Sequence, residues 1–183
     1  MVDYWAGAGA DVRERAAKVR LLVLDVDGVL TDGGLYYNPE GVVSKRFNVQ
    51  DGLGIKVAQQ HGLEVAVITG LNQPVVEHRV RELGIGEYHP GHHEKASVLR
   101  GICARLGLEL SEAAFLGDDW VDATALMACG LPMAVPNARP EIAALAVWTT
   151  PHPGGQGAVR DAVDLILRAR GLFDKAWHEW IGV

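Results

Sequence analysis

The apolar run Leu21–Leu24 leads straight into Asp25 and Asp27, an unusual way to finish a buried strand. Residues two apart in extended backbone point to the same side, so these carboxylates are neighbours. Held together they repel, which requires a proton on one or a cation between them. Ligands of open α/β sheets bind at the carboxyl edge, where this pair would lie. An Asp-x-Asp pair alone is equally compatible with a solvated surface. Three later features offer related chemistry. Thr69-Gly70 closes EVAVIT with a hydroxyl and backbone amides ahead of a helix, which suits an anion or a plain helix cap. Lys95 opens the next helical stretch, either as a site cation or as a solvated lysine. Asp118 and Asp119 follow the run AAFLG, with Asp122 one turn on, as site carboxylates or as helix caps.

The elements that must position these residues alternate along the chain. LLVLDV (21–26), EVAVIT (64–69), AAFLG (113–117), LPMAV (131–135) and LAVW (145–148) read as strands buried on both faces. Helical patterns cover 52–61, 73–83, 94–107 and 121–130, with glycines at 62, 84, 107 and 130 as stops. This alternation predicts a Rossmann-like α/β fold, a parallel sheet flanked by helices. One segment breaks the rhythm. GLYYNPEGVVSKRFNV (34–49) reads as a protruding β-hairpin around Pro-Glu-Gly. In the tail, Phe173, Trp177, Trp180 and Ile181 fall on one helical face that would dock on the core or on a neighbouring subunit.

Composition narrows the function classes. The 183 residues fit one domain, 1–183, and 49% hydrophobic with 22% charged residues is ordinary for a globular chain. A formal charge of −6 argues against a general nucleic-acid or anionic-membrane binder. It does not exclude anionic substrates, because a bound metal reverses the field inside a pocket. The N-terminus lacks the pattern of a secretory leader, and no apolar run is long enough to span a bilayer. Cys103 and Cys129 stand alone and read as buried reduced thiols, so a cytoplasmic location is expected. His89, His92 and His93 in YHPGHHEK read as exposed loop histidines rather than a metal cluster.

The order Asp-x-Asp, Thr, Lys, Gly-Asp-Asp resembles the four motifs of the haloacid dehalogenase-like phosphohydrolases. LDVDGVLTDG, FNVQDGLGI, VITG, RELGI, FLGDDWVDATAL and GGQGAVRDAVDLIL together are similar to the phosphatases acting on 3-deoxy-D-manno-octulosonate 8-phosphate. The resemblance runs from about Arg20 to Arg168. It implies Asp25 as nucleophile and Asp27 as general acid/base. It implies Mg²⁺ held by Asp25, the Asp27 carbonyl and Asp118. Thr69, Lys95 and amides near Gly28 and Gly70 would cradle the phosphoryl group, with Asp119 supporting the metal or orienting Lys95 and Asp122 in a lesser supporting place. About forty residues separate Asp27 from Thr69 and fewer than thirty separate Lys95 from Asp118, which leaves no room for a cap domain.

A capless member of this family implies a homotetramer, with Tyr36, Tyr37 and Val42 of the hairpin among the contacts. The sequence also departs from the family pattern: Gln50, Leu71 and Gln156 stand where relatives often carry Arg. Lys45, Arg46, Asn48 and Arg160 remain as candidate contacts for a sugar-acid phosphate, with Arg160 brought near the site by the glycine-rich turn at Gly154, Gly155 and Gly157. A nine-carbon keto-acid phosphate is the neighbouring alternative substrate. A non-catalytic tetrameric binding protein is the alternative from another class.

Overall fold

The computed structural model describes residues 7–41 and 43–182. Strands β1 (Leu21–Leu24), β4 (Glu64–Thr69), β5 (Glu87–Pro90), β6 (Ala113–Gly117), β7 (Leu131–Ala134) and β8 (Trp148–Thr149) form one parallel sheet in the order β5-β4-β1-β6-β7-β8. Strands β2 (Tyr36–Tyr37) and β3 (Val43–Ser44) form the antiparallel hairpin, with Tyr36 opposite Ser44. Tyr36 and Tyr37 are exposed on it, and Val42 lies outside the described residues. The helices are α1 (Ala10–Lys18), α2 (Val49–Gln60), α3 (Pro74–Leu83), α4 (Lys95–Leu106), α5 (Ala123–Ala128), α6 (Pro140–Ala143), α7 (Ala158–Ala169) and α8 (Phe173–Ile181).

Alternation along β1 explains its central place. Leu22 and Leu24 pack into the core shared with α1, α2, α3 and α7, whereas Leu21 and Val23 face α4, α5 and α6. Each such side chain, fully removed from water, stabilises the fold by about 1.5–3 kcal/mol. The connection through α2 carries the chain from β1 to β4, and the later crossover through α4 brings β6 to the other side of β1. The strand order therefore reverses at β1, and the carboxyl ends of β1, β4 and β6 open a crevice there. Between Asp27 and Thr69 the chain forms the hairpin, α2 and β4, and between Lys95 and Asp118 it forms α4, a short 3₁₀ turn and β6.

Several elements differ from the sequence expectations. β1 stops at Leu24, two residues early, because the chain turns at Asp25. The last strand is Trp148–Thr149 rather than 145–148. Strand β5 was not legible: Glu87-Tyr88-His89-Pro90 is a half-buried edge strand without an apolar run. It also removes His89 from the expected loop, since its Nε2 lies 2.8 Å from Glu87. Cys103 is a buried free thiol as expected, but Cys129 is only partly buried. Phe173 and Ala176 pack inward from α8, Trp177 and Trp180 are half exposed around a groove shared with Leu53 and Val57, and Ile181 is half exposed outside it. Among the described residues no helix is long and apolar enough to cross a membrane.

Candidate active site

The turn after β1 puts the first carboxylates in place. Gly28 has φ +96°, a conformation that other residues avoid, and it lets the chain reverse directly under Asp118. A side chain at position 28 would collide with the Asp118 carboxylate. Asn137 fastens the turn from outside. Its Nδ2 donates to the Gly28 carbonyl at 2.9 Å, and its Oδ1 accepts from the Gly154 amide at 2.8 Å. Gly154 and Gly155 lie so close to the backbone of residues 28–32 that neither could carry a Cβ.

Lys95 is the buried centre of the site. It sits at the first position of α4, where the helix dipole disfavours a cation, and its side chain is fully enclosed. Its ammonium donates to Asp25 Oδ1 at 2.6 Å and to Asp122 Oδ1 at 2.6 Å. Burial lowers its pKa, but the Asp25 and Asp122 charges outweigh that and hold it above the ordinary lysine value. Asp122, the lesser candidate in the sequence, is the carboxylate that orients Lys95. Its Oδ2 also accepts the amides of Asp118 at 2.9 Å and Asp119 at 3.3 Å. Asp119 points elsewhere: it is exposed, caps the amide of Trp120 at 2.7 Å and lines the cleft.

One ammonium cannot neutralise three carboxylates. Asp25, Asp118 and Asp122 offer oxygens within 4.8 Å of one another. Burial first, and the Asp122 charge second, push Asp25 up to about 7. Burial, then Asp25, push Asp118 up to about 8. Asp118 Oδ1 is buried without a hydrogen-bond partner. Because both Asp122 oxygens are already engaged, Asp25 and Asp118 are the free donors, and an all-oxygen set suits a hard divalent cation such as Mg²⁺.

The cleft above this cluster is lined by Asp25, Asp27, Thr69, Gly70, His93 and Asp119, with Gly33, Leu35, Leu71 and Val121 completing the wall. Thr69 is buried, and its Oγ1 accepts the Leu71 amide at 3.4 Å. Lys45 reaches in from the base of the hairpin with its side chain enclosed, and its ammonium pairs with Asp27. That cation is therefore engaged by the Asp27 carboxylate rather than left open to a substrate. The other candidate contacts do not line the cleft. Asn48 caps α2, with Oδ1 accepting from the Gln50 amide at 2.7 Å. Arg46 donates to the Gly155 carbonyl at 3.1 Å. The glycine-rich turn opens α7 but does not bring Arg160 to the site: Arg160 pairs with Asp164 at 2.8 Å and faces the groove beside α8. Sequence reading missed Asn137, which has no motif around it; His92 and His93 are exposed loop histidines as expected, and His93 also lines the cleft.

Crowded carboxylates repel an anionic substrate unless a cation joins them, and here they stand beside a threonine turn shaped for an anion. That combination on a parallel sheet belongs to the metal-assisted phosphohydrolases. Comparison with known proteins agrees. Residues 81–162 match the family described as haloacid dehalogenase-like hydrolase. The chain is 41% identical over 167 residues to the 3-deoxy-D-manno-octulosonate 8-phosphate phosphatase of Escherichia coli K12, covering 91% of this chain and 89% of that one. The crystal structure of the corresponding Moraxella catarrhalis phosphatase, in complex with magnesium, phosphate and KDO, superposes with TM-score 0.91 at 39% identity, covering 93% and 98% of the two chains. The cobalt-bound Haemophilus influenzae phosphatase superposes with TM-score 0.85 at 34% identity, covering 89% and 98%. The chain belongs to the haloacid dehalogenase-like hydrolases and is a phosphoric monoester hydrolase.

Proposed function

We propose that this protein is a Mg²⁺-dependent phosphatase that hydrolyses 3-deoxy-D-manno-octulosonate 8-phosphate to the free sugar acid and phosphate. The observation that carries the reading is the carboxylate trio Asp25, Asp118 and Asp122, two of them paired with Lys95 and Asp118 Oδ1 unpartnered, beside the cleft that Asp25 and Thr69 line. The names and bound ligands of the relatives supply the substrate.

Asp25 attacks phosphorus, and the resulting aspartyl-phosphate divides hydrolysis into two easier displacements. Asp25, the Asp27 carbonyl and Asp118 would hold Mg²⁺, which when bound neutralises charge between the nucleophile and the phosphoryl oxygens. Asp27 protonates the leaving sugar oxygen and later accepts a proton from the attacking water. Lys95 holds the Asp25 carboxylate in line, and Asp122 fixes Lys95. Thr69 and the amides of Gly28 and Gly70 bind the phosphoryl oxygens. Asp119 supports the mouth of the cleft.

Without a cap, a neighbouring subunit would have to close the cleft. The exposed Tyr36 and Tyr37 of the hairpin support a subunit contact, as in a homotetramer, and the absence of disulfide-spaced cysteines favours a cytoplasmic location. Sedimentation showing a fully active monomer at micromolar concentration would contradict that assembly. The activity is tested by phosphate release from eight-carbon, nine-carbon and hexose phosphates. Turnover should prefer the eight-carbon acid, require Mg²⁺, and vanish with chelator and in Asp25→Asn. A preference for the nine-carbon or hexose phosphates would overturn the substrate while leaving the phosphatase; no turnover of any phosphate monoester would overturn both.

A further inference from the structure

We infer that His93 is a specificity-determining residue that contacts the leaving sugar at the mouth of the cleft. The inference rests on the phosphatase reading of the same site and goes beyond its motifs. Among the described cleft-lining residues, His93 is the only one with a nitrogen-bearing side chain, and position 71 carries leucine. Both lysines near the floor are engaged: Lys95 by Asp25 and Asp122, Lys45 by Asp27. The ring of His93 makes no hydrogen bond to another described residue, so its donor and acceptor are open to a ligand.

Its position is fixed from both sides. The amide of His92 donates to the Thr69 carbonyl at 3.0 Å, tying this loop to the end of β4. Glu94 then caps α4, accepting the amides of Ala96 and Ser97 at 3.1 Å each. Between these anchors the imidazole lies over Gly70, where a Cβ would come within 3.1 Å of Nδ1 and Cε1. Anchoring the backbone on both sides limits the loop ordering that substrate binding would otherwise cost.

Depth in the cleft decides which part of the substrate His93 meets. Asp25 and Thr69 are buried, so the phosphoryl group that must reach Asp25 occupies the floor. His93 is exposed, so it lies on the outer side of that floor, beside Gly70, where the polyhydroxylated leaving group must project. An imidazole can donate to a hydroxyl or carboxylate and accept from a hydroxyl, which suits a sugar acid.

The test compares His93→Ala and His93→Gln with the parent enzyme, after melting curves confirm that each folds. Steady-state kinetics use the sugar phosphate that the parent turns over best, alongside inhibition by inorganic phosphate. Parental preference among the sugars is thus read separately from the role of His93. His93→Ala should raise KM for the sugar phosphate about tenfold, with kcat affected much less, as expected for a lost ground-state hydrogen bond. The rise should exceed any weakening of phosphate inhibition at least fivefold, and His93→Gln should recover most of it. Equal weakening of sugar phosphate and inorganic phosphate would overturn the inference, as would an unchanged KM.

Discussion

Removing the metal should make stability fall steeply as pH rises. In the metal-free protein Asp25 is pushed from 3.8 to about 7 and Asp118 to about 8, first by burial and then by neighbouring carboxylates. A carboxyl whose pKa is higher folded than unfolded holds its proton more tightly in the native state. Its contribution is complete below the unfolded value near 3.8 and is lost as pH rises through 7 to 8. At about 1.4 kcal/mol per pH unit, the Asp25 rise alone amounts to about 4 kcal/mol over its full range, of which about 3 kcal/mol falls between pH 5 and pH 8. The Asp118 rise does not add fully, because both share one mutual repulsion. For a chain of this length about 1 kcal/mol moves the melting temperature by roughly 2–4 °C. Chelated protein should therefore melt about 10 °C lower at pH 8 than at pH 5, relative to the same pair of measurements with saturating Mg²⁺. Asp118→Asn removes one of the crowded carboxylates, so in chelator it should raise the melting temperature at pH 8 and flatten the dependence. Parallel pH curves with and without Mg²⁺, for parent and variant alike, would refute the charge argument.

Two other substitutions probe the turn and the hairpin. Gly28→Ala places a methyl group against the Asp118 carboxylate at a φ that alanine avoids, so kcat/KM should fall about 10²-fold or more and Mg²⁺ affinity should weaken; kinetics together with a Mg²⁺ titration would show both. Lys45→Met keeps the buried stem but frees the Asp27 carboxylate, so kcat should fall about 10- to 100-fold on an alkyl phosphate that needs leaving-group protonation. With p-nitrophenyl phosphate, whose leaving group needs little protonation, the loss should be no more than about threefold, and equal losses on the two substrates would assign Lys45 a purely structural role.

Much of the fold was written in local pattern. Four of the five expected strand runs overlap a strand by most of their length, since doubly buried strands need continuous apolar residues. Strand β5 escaped because an edge strand of half-buried polar residues leaves no such run, and α1 escaped because its apolar stripe is short. The same division holds at the site. Asp25, Thr69, Lys95 and Asp118 stand at element ends, where position along the chain is also position in space.

What the sequence alone determined was the set of reactive residue types and the strand ends that carry them. Which partner each residue takes depended on distances between elements far apart in the chain. Asp122 rather than Asp119 holds Lys95, because one turn of chain after β6 carries Asp122 inward and leaves Asp119 at the surface. Lys45 pairs with Asp27 because the hairpin folds back over the turn after β1, whereas Arg160 pairs with Asp164 on its own helix. His93 enters the cleft only because the loop before α4 is bound to the end of β4. Charge pairing is a matter of a few ångströms, and packing, not sequence spacing, sets distances on that scale.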